Sequence, residues 1–190
     1  MMNRTDALAL LHTHVQNPGL RLHCQAVATA VAAYATQYEA DADLWYITGL
    51  LHDFDYEEHP NLVEHPFVGV AQLQALGYPA AMLTAILGHA DYSGTPRITP
   101  LDHVLYACDE LAGFVVAVSR VRPSKSVHEV DVAAVKKKLK EKSFAAAVNR
   151  DDIRRGAEEL GVPLDDHIAF VIQALQAKAD DLGIAGTKPA

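Results

Sequence analysis

The feature that most restricts the fold of this chain is an apolar run, Leu44–Leu51, that ends directly in the polar pair His52-Asp53. Asp41-Ala42-Asp43 precedes the run and predicts a helix cap, so the run is expected to form one buried helix. An imidazole and a carboxylate side by side at the end of such a helix cost on the order of several kcal/mol unless a partner satisfies them. The pair has two interpretations. It stabilises the helix terminus, or it binds a divalent cation.

The rest of the chain is also predicted to be helical. Apolar residues recur near a 3.6-residue period, and we find no strand alternation, internal repeat or low-complexity tract. The predicted helices span about Thr5–Val15, Leu20–Gln37, Asp41–Asp53, Leu62–Leu76, Ala80–Gly88, Pro100–Val118, Val130–Lys142, Asn149–Leu160 and Asp165–Leu182. The sequence therefore predicts an all-α, single-domain helical bundle over residues 1–190. Residues 186–190 have the composition of a disordered tail.

Charge is distributed unevenly along the chain. The net charge of the 190 residues is −8, yet the segment Arg120–Arg155 contains eleven Lys or Arg against five Asp or Glu. The acidic remainder argues against general nucleic-acid binding, whereas the basic segment suits a smaller anion.

The chain has the features expected of a cytoplasmic protein. Its N-terminus lacks the apolar core of a signal peptide, and no apolar run is long enough to cross a bilayer. Two cysteines, Cys24 and Cys108, do not make a disulfide framework, so we expect each to pack as a small apolar residue.

Four more polar residues strengthen the metal interpretation. His23 shares the inward face of its helix, His65 is predicted in the first turn of a helix, His89 ends a helix, and Asp109 lies beside a buried stripe. Each alone is more typical of a hydrogen-bonded core residue. Together, imidazoles and carboxylates suit a transition metal such as Mn, Fe, Co, Ni or Zn. The predicted ligands of a first ion are His23, His52, Asp53 and Asp109, with Asp53 able to bridge to a second ion held by His65 and His89.

The ordered set of candidate ligands resembles the H…HD…D motif of the HD superfamily of metal-dependent phosphohydrolases. The matching stretches are Leu22-His23-Cys24, Gly49-Leu50-Leu51-His52-Asp53 and Ala107-Cys108-Asp109-Glu110-Leu111, within a metal-site core of about residues 20–118. Two-metal members of the family add histidines where His65 and His89 lie. Many of them carry a His-His pair where this chain has His89-Ala90, and Asp91 is the candidate replacement. Residues 119–185 are expected to form a C-terminal helical extension, and the whole chain resembles a bacterial branch of predicted HD hydrolases.

The resemblance implies hydrolysis of a small phosphate ester, with a nucleotide as the expected substrate. In this hypothesis the metal binds a phosphate oxygen and activates a water that attacks phosphorus in line. Asp53 holds the metal and orients that water, and it is the predicted catalytic residue. Arg122 and Lys125 either neutralise phosphate charge or form a solvated basic face. The acidic residues Asp55, Glu57 and Glu58 either support the ligands or belong to a polar loop.

Two other functions stay open at the level of sequence. Related HD families use the scaffold for mixed-valence di-iron oxygenases, and a nucleotide-binding sensor would keep the site without turnover. The intact ligand set argues against the sensor, because a pure binder could dispense with Asp53. The expected partner is a small phosphorylated substrate, and binding to a membrane is not expected. A homodimer is an open alternative.

Overall fold

The computed structural model describes residues 3–186, and within that range it contains helices and turns but no strand. The α-helices of this range are α1 (Arg4–His14), α2 (Pro18–Ala35), α3 (Ala42–Leu51), α4 (Phe67–Ala75), α5 (Ala80–His89), α6 (Pro100–Arg120), α7 (Val132–Leu139), α8 (Arg150–Glu159) and α9 (Leu164–Ala177). Short 3-10 helices occupy Thr36–Tyr38, Asp91–Ser93 and Val127–Glu129. The all-α prediction is confirmed. The predicted disorder concerns residues that, apart from Gly186, lie outside the described range.

None of the helices in residues 3–186 combines the length and apolarity that a bilayer crossing requires.

Asparagine and aspartate side chains define where the first three helices begin. Asn3 caps α1 by accepting a hydrogen bond from the backbone N–H of Asp6, so the helix begins one residue before the predicted Thr5. Asn17 caps α2, and Pro18 takes the first helical position, where its missing N–H leaves no donor unsatisfied. Asp41 caps α3 as predicted.

Two of the predicted helices extend well beyond the observed ones: the last, predicted to Leu182, ends at Ala177, and the other was predicted to include the segment before α4. A helix was predicted from Leu62, with His65 in its first turn, but α4 begins at Phe67. The side chain of Asn61 accepts hydrogen bonds from the backbone N–H groups of Val63 and Glu64 and stabilises a turn instead. Pro66 also disfavours helical backbone at the preceding residue. His65 therefore lies in a turn that leads into α4.

The chain divides into two compact units, of which the first ends at Tyr106 and the second begins at Ala107, within α6. The sequence predicted a single domain, with a metal-site core over 20–118 and an extension over 119–185. The division into two units does not test that organisation, which stays a prediction.

The first unit is built on the close packing of α2 against α3. A Cβ atom at Gly49 of α3 would lie 2.7 Å from the Cα of Ala28 in α2, so this approach requires glycine. α1 and α5 also pack on α3, so α3 contacts both α2, which carries His23, and α5, which carries His89. Leu50 and Leu51, the last residues before His52, are completely buried. The core of this unit therefore ends where the polar pair begins.

The second unit has its own close helix contact and its own buried histidine. A Cβ atom at Gly156 of α8 would lie 2.6 Å from the Cα of Ala107 in α6. His167 of α9 is completely buried, and its Nε2 donates to the carbonyl oxygen of Ala107 at 2.9 Å. Burial lowers the pKa of His167 below 6.5, although this hydrogen bond acts in the opposite direction. His167 is a packing residue of this unit.

Candidate metal centre

Asp53 lies at the centre of a cluster of four imidazoles in the first unit. Its Oδ2 is 3.5 Å from the Nε2 atoms of both His23 and His52. Its Oδ1 is 3.3 Å from Nε2 of His65 and 3.4 Å from Nε2 of His89. The two oxygens of one carboxylate thus face two different pairs of histidines.

The ligand candidates reach this cluster from helix ends and from one helix face. His23 lies on the second turn of α2, His52 directly follows the last residue of α3, and His89 is the last residue of α5. The start of α2 is tied to the loop after Asp53, because Glu57 accepts hydrogen bonds at 2.9 Å from the backbone N–H groups of Gln16 and Asn17. Glu57 therefore has a structural role in placing α2.

Hydrogen bonds to main-chain carbonyls fix the rings of His52 and His89. The Nδ1 of His52 is 2.8 Å from the carbonyl oxygen of Gly49. The Nδ1 of His89 likewise contacts the carbonyl oxygen of Ile86. Because a carbonyl oxygen can only accept, each Nδ1 must carry a hydrogen, and the neutral form of each ring has its lone pair on Nε2, toward Asp53.

A carboxylate fixes the ring of His65. The Nδ1 of His65 is 2.8 Å from Oδ1 of Asp55, and the backbone N–H of Gly69 in α4 donates to Oδ2 of Asp55 at 2.8 Å. Only 3 % of His65 and 1 % of Asp55 is exposed, so solvent does not compete for these bonds. The sequence left the role of Asp55 open, and the structure shows it to be a hydrogen-bond partner of a candidate ligand.

The charges of the cluster are strongly coupled. Burial alone would raise the pKa of Asp53, but the charge of His52 and hydrogen bonds from the other three histidines hold it well below its usual value. Burial would lower the pKa of His65, yet the hydrogen bonds and charges of Asp53 and Asp55 raise it from 6.5 to about 9. At neutral pH in the metal-free protein, an ionised Asp53 therefore faces a protonated His65.

The donor atoms of this cluster fit a divalent transition metal. One oxygen of Asp53 and the Nε2 atoms of His65 and His89 all lie within 4.8 Å of one another. The Nε2 atoms of His23 and His52 are 3.2 Å apart, so two imidazole nitrogens converge beside the other oxygen. Converging nitrogen lone pairs beside an anionic oxygen suit Mn, Fe, Co, Ni or Zn better than Ca or Mg, which favour oxygen ligands.

Three other residues from the sequence-based hypothesis belong to the second unit. Asp109, the predicted fourth ligand of the first ion, is half-buried on the part of α6 that belongs to the second unit. Arg122 and Lys125 follow α6 in the same unit, and Lys125 is exposed. The ligand role of Asp109 and the phosphate-binding role of the two basic residues stay predictions.

Asp91 is the candidate replacement for the second histidine of the His-His pair, and that role stays a prediction. Its Oδ1 accepts a hydrogen bond from Nη1 of Arg97 at 2.8 Å, and the same Nη1 donates to the carbonyl oxygen of Gly88 at 2.8 Å. Asp91 and Arg97 therefore stabilise the end of α5, next to His89. Both cysteines, Cys24 and Cys108, are buried, as expected for small packing residues.

Residues 21–113 match the family model described as the HD domain. No curated protein and no solved structure matches the chain significantly. The matched range begins just before His23 and ends just after Asp109, so it contains every residue of the H…HD…D order.

Proposed function

The chain is an HD-domain protein, from a superfamily of metal-dependent phosphohydrolases, and we propose that it hydrolyses a small phosphate ester. A nucleotide is the substrate class we propose first, because the sequence resemblance implies it. The observation that carries the proposal is Asp53, whose two oxygens face separate pairs of imidazoles. A carboxylate placed in this way supports two neighbouring cation positions, the arrangement that suits phosphoryl chemistry.

The chain's own residues prepare the site for a cation. A bound divalent metal supplies Lewis acidity toward a phosphate oxygen and lowers the pKa of water toward neutrality. Asp53 is ionised at neutral pH because of its low pKa, so it contributes a full negative charge. The main-chain hydrogen bonds of His52 and His89 hold each ring with Nε2 toward Asp53, so neither ring would have to turn to bind a cation. We also assign to Asp53 the orientation of the attacking water, which its carboxylate would hold by accepting a hydrogen bond.

Metal content and phosphate release in one set of variants test this proposal. The metal-free protein is loaded with Mn, Fe(II), Co, Ni or Zn and assayed on p-nitrophenyl phosphate, bis(p-nitrophenyl) phosphate and a panel of nucleotides. Asp53→Ala is expected to lose its metal and to lower activity by more than about 100-fold, beyond the effect of residues that only support a ligand. Asp43→Ala is the matched control, since Asp43 lies in the first turn of α3, the helix that precedes Asp53, and pairs with Arg4 at the surface.

The outcomes separate this function from its alternatives. Full metal content in Asp53→Ala would contradict the assignment of Asp53 as a ligand. Tight nucleotide binding by a metal-loaded protein that hydrolyses none of the esters would favour a sensor. Oxygen consumption by protein loaded anaerobically with iron would favour a di-iron oxygenase.

A further inference from the structure

Asp55 is a buried carboxylate that belongs neither to the H…HD…D order nor to the cluster of candidate ligands. It lies two residues after Asp53 and has 1 % of its surface exposed. Each of its oxygens is used by a different donor: Oδ1 by Nδ1 of His65 and Oδ2 by the backbone N–H of Gly69, both at 2.8 Å. A buried carboxylate is costly unless such partners compensate it, so these bonds determine where Asp55 lies.

Gly69 provides a second, independent sign that this carboxylate has a required position. A Cβ atom at residue 69 would lie 2.6 Å from Cγ of Asp55 and 2.7 Å from Oδ2. Any side chain at residue 69 would therefore displace the carboxylate from its position against His65. Gly69 and Asp55 belong to different segments of the chain, and both are needed for the hydrogen bond between Asp55 and His65.

We infer that Asp55 is a positioning residue that aims Nε2 of His65 at Asp53 and thereby sets one of two cation positions. That position is the one formed by Oδ1 of Asp53 with Nε2 of His65 and of His89. A carboxylate that accepts a hydrogen bond from Nδ1 of a ligating histidine fixes the orientation of the ring and makes Nε2 a stronger metal ligand. The inference rests on metal binding in the proposed function and is independent of the substrate.

Asp55 should act on this cation position alone. The histidines on the other side of Asp53 are oriented by different groups, as the bond from Nδ1 of His52 to the carbonyl oxygen of Gly49 shows. A purely structural role for Asp55 would instead weaken the whole cluster or the fold. Selective loss of one ion is therefore the result that distinguishes positioning from general stabilisation.

Calorimetric titration of the metal-free protein with Mn²⁺ tests the inference without any activity assay. Asp55→Asn keeps the shape of the side chain, but its single carbonyl oxygen can accept from only one of the two buried donors. We expect wild type to bind two ions, and Asp55→Asn to bind one unchanged and the other about 10- to 100-fold more weakly. His89→Ala should weaken the same ion. Glu58→Gln is the matched control, because it changes the same charge on the same loop but at an exposed residue.

Gly69→Ala keeps the test decisive if Asp55→Asn fails to fold. It retains the Asp55 carboxylate but pushes it away from His65, so it should weaken the same ion. Unchanged binding of both ions in the variants, equal weakening of both, or a single ion in wild type would overturn the inference. If wild type bound both ions but hydrolysed no phosphate ester, the proposed function would fail while the role of Asp55 stood.

Discussion

In the metal-free protein, His65 should make the stability of the fold fall as the pH rises. Its burial lowers its pKa, but the carboxylates at 2.8 Å and 3.3 Å raise it to about 9, against 6.5 in an unfolded chain. The folded state therefore binds the proton more tightly than the unfolded state does. The resulting stabilisation is complete below pH 6.5 and is lost as the pH rises through 9. The difference between the two pKa values corresponds to about 3 kcal/mol in the free energy of unfolding.

Urea unfolding of chelator-treated protein at several pH values between 6.5 and 9 measures this contribution. The quantity to compare is the difference in unfolding free energy between wild type and His65→Gln, which should shrink as the pH rises. His59→Gln is the matched control, since His59 lies on the same loop, is partly exposed and has its Nδ1 3.5 Å from Glu64. Parallel pH profiles for wild type and His65→Gln would refute the reasoning.

Two further predictions concern the packing of each unit. Gly49→Ala should destabilise the fold by about 1–3 kcal/mol, because the added Cβ meets backbone atoms of Ala28 that cannot move aside alone; an unchanged urea midpoint would contradict this. His167 has a pKa below 6.5 when folded, so its contribution is complete above that pH and is lost as the pH falls. His167→Gln should therefore show a weaker decline of the urea midpoint in acid than wild type, and an equal decline would argue against the buried neutral ring.

Local patterns were sufficient to predict most of the residues that converge on Asp53. His52 and His89 lie at helix ends that the apolar runs define, and His23 lies on the inward face of a helix with a regular 3.6-residue period. These positions depend on periodicity and capping, which act over a few residues. The all-α fold could be predicted for the same reason.

The arrangement around His65 could not be predicted, because it depends on contacts between separate segments. The segment after Asn61 forms turns with helix-like hydrogen bonds, such as that from the N–H of His65 to the carbonyl oxygen of Asn61. A sequence that favours such turns resembles the start of a helix, so the helix was predicted to begin too early. The role of Asp55 also depends on Gly69, fourteen positions later, and on a steric limit that appears only once α4 is in place. A glycine inside a helical pattern gives no sign by itself of what it makes room for.

The geometry at His65 implies that a proton and a metal ion compete for one atom. Asp55 holds the hydrogen on Nδ1 in either state, so only Nε2 changes its partner. In the metal-free protein a proton on Nε2 compensates the charge of Asp53, at 3.3 Å. A cation bound to Nε2 would replace that proton and compensate the same carboxylate. Because the ring is held from its far side, the cluster can exchange a proton for an ion without turning His65, and its buried charges are compensated in both states.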